Sequence, residues 1–428
     1  MNNDVIQTII RFVVTFLFSL LLVMIAATIM SYLDRKVQAY VQDRYGPLHY
    51  GPAGTLQPIW DVAKLLLKEN MRAKATDSII FLAAPLVFFA PILTAFVVLP
   101  FSPYLTGGAL ATGLVFYVAM SSIDVMGVFM AGWGSNNKYA LIGGLRSAAQ
   151  MISYELPLML ALVPVVMFTS ILAPACEGAS ANLAQCGVGS ISFTQIVAAQ
   201  MRPETPWLWF ALLAPVGLLA YYICGLAETN RTPFDLPEAE SELVAGYLTE
   251  YSGLRWAMFF LGEYGNMCIV SAVATAVFLG GWSGPGAAPG IWTPILGSFG
   301  GQLVFNIIAA FWFIAKMSVF LFAFMLIRAT VPRLRADQLM RYAWLFLIPL
   351  TLANIILTAV LLLLPLDLTT RLVIAGGVNW VLFLILLVSF RRLTGIRLGA
   401  RIPARSAVAR AAAAAKPGAK ELAGAAKG

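Results

Sequence analysis

The sequence predicts an all-α fold, a polytopic transmembrane helix bundle. Of its 428 residues, 60% are hydrophobic and only 11% charged. Mean hydropathy is +0.84. The apolar residues gather in long runs of about 20, the length that spans a bilayer as helix. No water-soluble domain could hide that much apolar surface. The runs are too long for barrel strands, which need about 10 alternating residues. Helices are then the remaining way to satisfy every backbone group inside lipid.

Nine runs fall near 9–33, 79–101, 109–131, 151–173, 206–226, 257–281, 301–327, 343–365 and 372–390. The first lacks a small-residue cleavage site after a short apolar core, so it reads as a retained helix. Placing the N-terminus outside puts 24 of the 28 Lys and Arg residues on the inner connections and the C-terminal tail. That asymmetry orients the chain N-out and C-in. The net charge of +8 then reflects membrane topology rather than nucleic-acid binding.

The first inner connection is more than a linker. Leu56, Ile59, Trp60, Ala63, Leu66 and Leu67 share one face at helical spacing, with Asp61, Lys64, Lys68 and Glu69 mainly off it. This predicts a short amphipathic helix, lying in the interface with its apolar face down or buried beside the bundle. The loop 174–205 carries Cys176 and Cys186, which on an oxidising side form a disulfide or stay as two thiols. Residues 396–428 are rich in Ala, Lys, Arg and Gly. They read as a disordered or weakly helical tail on the anionic inner leaflet. No internal repeat is evident, which counts against a transporter built on inverted halves.

One His, His49, excludes a His-ligated haem or multi-His metal site in this chain alone, and the four Cys make no C-x-x-C pair. No iron–sulfur or zinc site is therefore expected.

The most informative stretch is 227–253, AETNRTPFDLPEAESELVAGYLTEYSG. It sets six carboxylates (Glu228, Asp235, Glu238, Glu240, Glu242 and Glu250) against one base, Arg231. Such a loop suits cation binding, docking of a basic partner or proton transfer. Asp235-Leu-Pro-Glu238 also has the form of a capping box. The two prolines at 233 and 237 favour an ordered non-helical loop. Phe234 between them packs on an apolar ligand or on the bundle.

Asp124, Glu155, Glu263 and Lys316 fall within or near the ends of apolar runs. Each would cost about 2.5–3.5 kcal/mol at a helix centre, so such residues normally face the bundle interior and mark ion or proton paths. Glu155 has the alternative of snorkelling or capping near an inner end. Glu263 and Lys316, deeper in their runs, favour the functional reading. A third cluster, 133–155, is rich in small residues that permit close helix approach. A fourth, 328–340, reads alone as a positive-inside anchor.

In these clusters the chain resembles the H subunit of bacterial NADH–quinone oxidoreductase, respiratory complex I, equivalent to mitochondrial subunit 1. The acidic loop is close to the family signature over its whole length. SNNKYALIGGLRSAAQMISYE, GGWSGP at 280–285 and PRLRADQLM match as well, in family order. The resemblance covers about residues 10–365.

It implies eight core helices, within a membrane domain over 1–365; the ninth helix expected over 366–395 and the basic tail over 396–428 lie outside that core. It implies a membrane protein that helps form the quinone chamber, with Arg35, Asp61, the interfacial helix and the loop around Glu228, Arg231, Phe234 and Asp235 lining or shaping it. Glu155, Glu228, Glu263 and Lys316, with Glu238, Glu240 and Glu242, would begin a charged path coupling quinone reduction to proton translocation. Quinone is then the substrate. FMN and iron–sulfur clusters would sit in partner subunits, none in this chain. The expected partners are the peripheral-arm quinone-site subunits and the membrane-arm subunits, in the bacterial inner membrane.

The sequence departs from the family pattern at Asp34-Arg35, where Glu-Arg is usual, and at Leu48, Ala336 and Leu345. Asp124 stands at a position usually uncharged.

Overall fold

The computed structural model describes residues 3–103, 110–172, 191–201, 209–236, 244–285 and 289–394. Among these residues every regular element is helical. The long helices are α1 (Asn3–Val41), α3 (Ser78–Val98), α4 (Gly113–Gly134), α5 (Lys138–Leu172), α9 (Gly253–Phe278), α10 (Pro289–Thr330) and α13 (Leu368–Thr394). Shorter ones are α2 (Gln57–Leu67), α6 (Phe193–Gln200), α7 (Phe210–Leu213) and α8 (Pro215–Glu228). Helices α11 (Ala336–Arg341) and α12 (Ile348–Leu362) are joined by a π-helical turn, Tyr342–Leu347.

Seven segments among the described residues are long and apolar enough to cross a membrane: Ser78–Val98, Gly113–Gly134, Lys138–Leu172, Gly253–Phe278, Gly300–Thr330, Ala336–Leu362 and Leu368–Val388. Helix α1 carries the first apolar run of the sequence. The fifth run is interrupted. Ala214 takes non-helical angles before Pro215 opens α8, and Pro lacks the N–H that would continue the preceding helix. The 14-residue α8 is too short to span by itself.

Helix α9 is the hub. It packs against α1, α2, α3, α8 and α10. From Gly262 to Phe278 every residue is buried. A helix buried on every side by its neighbours belongs at a core. Small residues bring its neighbours close. A side chain at Gly127 of α4 would meet the Phe88 backbone of α3 at 2.7 Å. One at Gly143 of α5 would meet the Cα of Gly246, also at 2.7 Å, in the short turn Gly246–Leu248. The small-residue cluster predicted to allow close approach therefore seats the end of the acidic loop.

Helix α2 keeps its apolar face outside the bundle: Ile59, Trp60, Leu66 and Leu67 are exposed. Of the two placements open from sequence, the interfacial one suits this exposure. The chain divides into a large compact unit, Met1–Trp380, and a C-terminal unit, Val381–Gly428. Of the second, residues 381–394 are described and helical. Cys176, Cys186 and the tail 396–428 lie outside the described residues.

Gly143→Ala is expected to lower stability by about 1–3 kcal/mol, because the added methyl drives into backbone. Gly377→Ala meets nothing within 4 Å and should be neutral or stabilising by about 0.5 kcal/mol. Thermal unfolding of the detergent-solubilised protein compares the two.

Candidate functional site

The acidic stretch begins where α8 ends. Thr229 and Asn230 donate backbone bonds to the carbonyls of Gly225 (3.1 Å) and Ala227 (3.3 Å). Asn230 then takes a left-handed φ of 50°, which Asn tolerates better than most residues. That turn sends Arg231 into the bundle, where it is 5% exposed.

A guanidinium at this depth needs a counter-charge. Glu263 of α9 supplies it, with Arg231 Nη2 2.8 Å from Glu263 Oε2. The guanidinium also lies over the rings of Tyr264, 4.5 Å to the centroid, and Phe260, 5.5 Å. Both are favourable cation–π contacts. Tyr247 donates its phenol to Glu263 Oε1 at 3.3 Å.

Tyr264 extends this arrangement towards α1. Its hydroxyl donates to Asp34 Oδ2 at 3.1 Å. Asp34 is 3% exposed, pairs with Arg328 of α10 and accepts from Gln38 at 3.1 Å. The next residue, Arg35, turns outward. Its Nη1 is 2.5 Å from Asp61 Oδ2 of α2, and Gln57 donates to the other Asp61 oxygen at 3.0 Å. A single tyrosine thus joins a buried ion pair, Arg231–Glu263, to a half-buried one, Asp34–Arg328, and the α1 backbone joins them to a third, exposed one.

The loop is held from two further sides. Gln150 of α5 donates to the carbonyls of Ala227 (2.7 Å) and Phe234 (2.6 Å). Phe234 is buried and packs edge-on against Tyr154, centroids 5.5 Å apart. Of its two sequence-level options, it fills the bundle. Arg333 donates to the Asp235 carbonyl, and the Leu334 N–H donates to Pro233 O at 3.1 Å. The basic cluster 328–340 therefore does more than anchor: Arg328 closes an ion pair and Arg333–Leu334 clamp the loop. Glu238, Glu240 and Glu242 lie outside the described residues, as does the second half of the capping box at Asp235.

A second polar cluster lies on the α4–α8 side of α9. Glu228 is 7% exposed and Asp124 2%. Asn266, one turn beyond Glu263, donates to Asp124 Oδ2 at 2.9 Å. Ser122 donates to Glu155. The Tyr117 and Tyr221 hydroxyls are 3.3 Å apart.

Lys316 is not in either cluster. Its ammonium donates to the carbonyls of Leu279 (2.7 Å), Gly281 (3.2 Å) and Ser283 (2.6 Å) and lies 4.8 Å from the Trp209 ring centroid. Those carbonyls follow the C-terminus of α9, where unpaired acceptors and the negative end of the helix dipole favour a cation. Lys316 thus caps the end of a helix.

An apolar cavity of about 590 Å³ opens between α1, α9 and α10. Ile29, Leu33 and Val37 form part of its α1 wall, with Met317 and Leu321 opposite and Cys268 from α9. Leu33 and Val37 lie on the same stretch of α1 as Asp34 and Arg35, and the residues that line the cavity are apolar or, at Cys268 and Ser318, uncharged. Among the described residues no group of three or more His, Cys, Asp or Glu could hold a metal ion.

Sequence reasoning missed Tyr264, Tyr247, Gln150 and Asn266 as members of these clusters, and treated Asp34 and Arg328 apart. The adjacent opposite charges Asp34-Arg35 were the available signal. About 100° apart on a helix, they must face different partners.

A family model described as NADH dehydrogenase matches residues 13–359. The H subunit of the NADH-quinone oxidoreductase of Dehalococcoides mccartyi strain CBDB1 is 41% identical over 377 residues, 88% of this chain and 94% of that protein. The corresponding protein of Brevibacillus brevis strain 47 is 44% identical over 349 residues, covering 82% and 92%. The chain belongs to the family of NADH-quinone oxidoreductase H subunits. The residues matched by the family model take in both polar clusters and the cavity walls, and leave α13 and the tail outside.

Glu263→Gln removes the counter-charge of a buried guanidinium and should cost about 3–5 kcal/mol. Arg35→Gln breaks an exposed pair and should cost no more than about 1 kcal/mol. Equal melting temperatures for the two detergent-solubilised variants would contradict the burial argument.

Proposed function

We propose that this chain is a membrane subunit of a proton-pumping NADH:quinone oxidoreductase, a translocase, in which it helps form the quinone chamber and starts the proton path. The observation that carries this reading is the run of paired charges from Arg35–Asp61 through Asp34–Arg328 and Tyr264 to Arg231–Glu263, with an apolar cavity walled in part by the same stretch of α1. An amphiphilic quinone needs an apolar route from the bilayer for its tail and polar groups for its head. Coupling needs titratable groups beside that head.

In this reading Arg35, Asp61, Arg231, Phe234 and Asp235 shape the chamber, Phe234 and Asp235 through the loop they hold rather than by direct contact. Glu228, Glu263 and Glu155 carry the charge response inward, continued by the loop acids Glu238, Glu240 and Glu242. Lys316 serves the path by fixing the end of α9. The chain holds no redox centre of its own. Electrons arrive through FMN and iron–sulfur clusters in partner subunits of the peripheral arm, and the membrane-arm subunits carry the protons. The bundle sits in the bacterial inner membrane with its N-terminus outside and its basic segments inside. Residues 1–365 form the functional domain, 366–395 an added helix and 396–428 a tail on the inner leaflet.

In the assembled complex, Glu228→Gln and Arg231→Ala are each expected to lower quinone-linked electron flow by roughly tenfold or more. NADH oxidation with an artificial acceptor should stay intact. Unchanged quinone reductase rates would reject the assignment. Mild purification of the tagged chain should bring down flavin- and iron–sulfur-bearing subunits, read by mass spectrometry. Hydrogenase-type partners would instead indicate a related anchor with a different electron donor.

A further inference from the structure

Two buried carboxylates have an oxygen to spare, and both residues line the same small space. Asp124 Oδ1 and Glu228 Oε2 are buried without a hydrogen-bond partner among the described residues. Their residues are 2% and 7% exposed. Asp124 and Glu228 both line one cavity bordered by α3, α4, α8 and α9, with a volume of about 10 Å³. That is the room one water molecule requires, and a buried water needs two to four polar partners. Besides the two carboxylates, Tyr117, Ser121 and Asn266 border the space.

The charge balance of the cavity is one-sided. No Lys or Arg is among its lining residues. Helix α3 contributes only Pro91, Ile92 and Ala95, and α9 contributes Asn266, Ile269 and Val270. Further titratable groups around it are Tyr221, whose hydroxyl meets that of Tyr117, Cys224, buried one turn before Glu228 on α8, and Glu155 on α5, which acts on Glu228 as another negative charge. Two anions facing one dry cavity without a cation are far costlier than one. Asn266 donates to a single oxygen of Asp124 and so meets only part of that cost.

We propose that this cavity holds one water bridging Asp124 and Glu228, and that the two carboxylates share a proton across it. The proposal rests on the placement of Glu228 in the proton path and adds Asp124 as a second proton-holding group. In the hand-off the O–H bond of a protonated Glu228 breaks as a new O–H forms on the water. The water gives up another proton as the O–H of Asp124 forms. Atoms and charge balance without any further reactant, and the proton moves from the end of α8 to the middle of α4.

The test compares Asp124→Asn, Ala95→Val and Glu228→Gln in the assembled complex. Ala95→Val fills the cavity while leaving both carboxylates in place, so it tests the water even if Asp124→Asn fails to assemble. Two readouts apply: proton uptake coupled to quinone reduction, and the carbonyl-stretch band of a protonated carboxyl in redox-difference infrared spectra. The expected result is loss of that band in Asp124→Asn and Glu228→Gln, its shift in Ala95→Val, and diminished proton uptake in all three. Wild-type band and uptake in Asp124→Asn and Ala95→Val, with Glu228→Gln impaired, would overturn the shared proton and leave Glu228 in the path. Wild-type behaviour of Glu228→Gln would overturn both readings. Sodium-dependent turnover that disappears in Asp124→Asn would place a cation rather than a water in the cavity and also overturn the proposal.

Discussion

Arg231 is a permanently charged group 5% exposed inside an apolar bundle, and its neighbours are arranged around that constraint. Its ion pair requires Glu263 at one depth on α9. Its cation–π contact requires Tyr264 beside it. Tyr264 in turn aims its hydroxyl at Asp34, which fixes where α1 and Arg328 of α10 meet. Helices that share only dispersion contacts in lipid can slide with little penalty. Helices joined through buried charges cannot, because any shift leaves a charge unpaired. The loop 229–236 therefore registers four helices while remaining non-helical itself.

Irregular backbone at this depth has to be satisfied by protein, since no water is at hand. Gln150 does so from α5 with two bonds, and Arg333 and Leu334 do so from beyond α10. The same rule explains Lys316. An ammonium among the carbonyls after α9 meets three backbone acceptors at once, so it has no need of a carboxylate. Two buried cations thus meet the same requirement differently, one through an ion pair and one through a helix end. The first leaves a carboxylate whose charge can respond to its surroundings, and the second makes a fixed joint.

The membrane class, the nine apolar runs, the amphipathic α2 and the acidic loop were all legible in the sequence, because each is a local pattern of apolar length, helical spacing or charge density. Glu263 stood out as a charge within an apolar run, which signals a demand for partners, and Glu228 and Arg231 stood out as members of the acidic loop. Which partner answers is a matter of tertiary structure. Asp34 and Arg328 are separated by most of the chain and meet only because α1 and α10 pack together. Lys316 finds carbonyls rather than an acid because of where α9 ends. Asp124 faces the same space as Glu228 only because α4 and α8 flank α9. Composition and periodicity determined that buried charges exist here and roughly how deep they lie, since both follow from solvation along the chain. The packing of α9 against its neighbours decided their pairing, since short-range electrostatics depend on distances that no local pattern encodes.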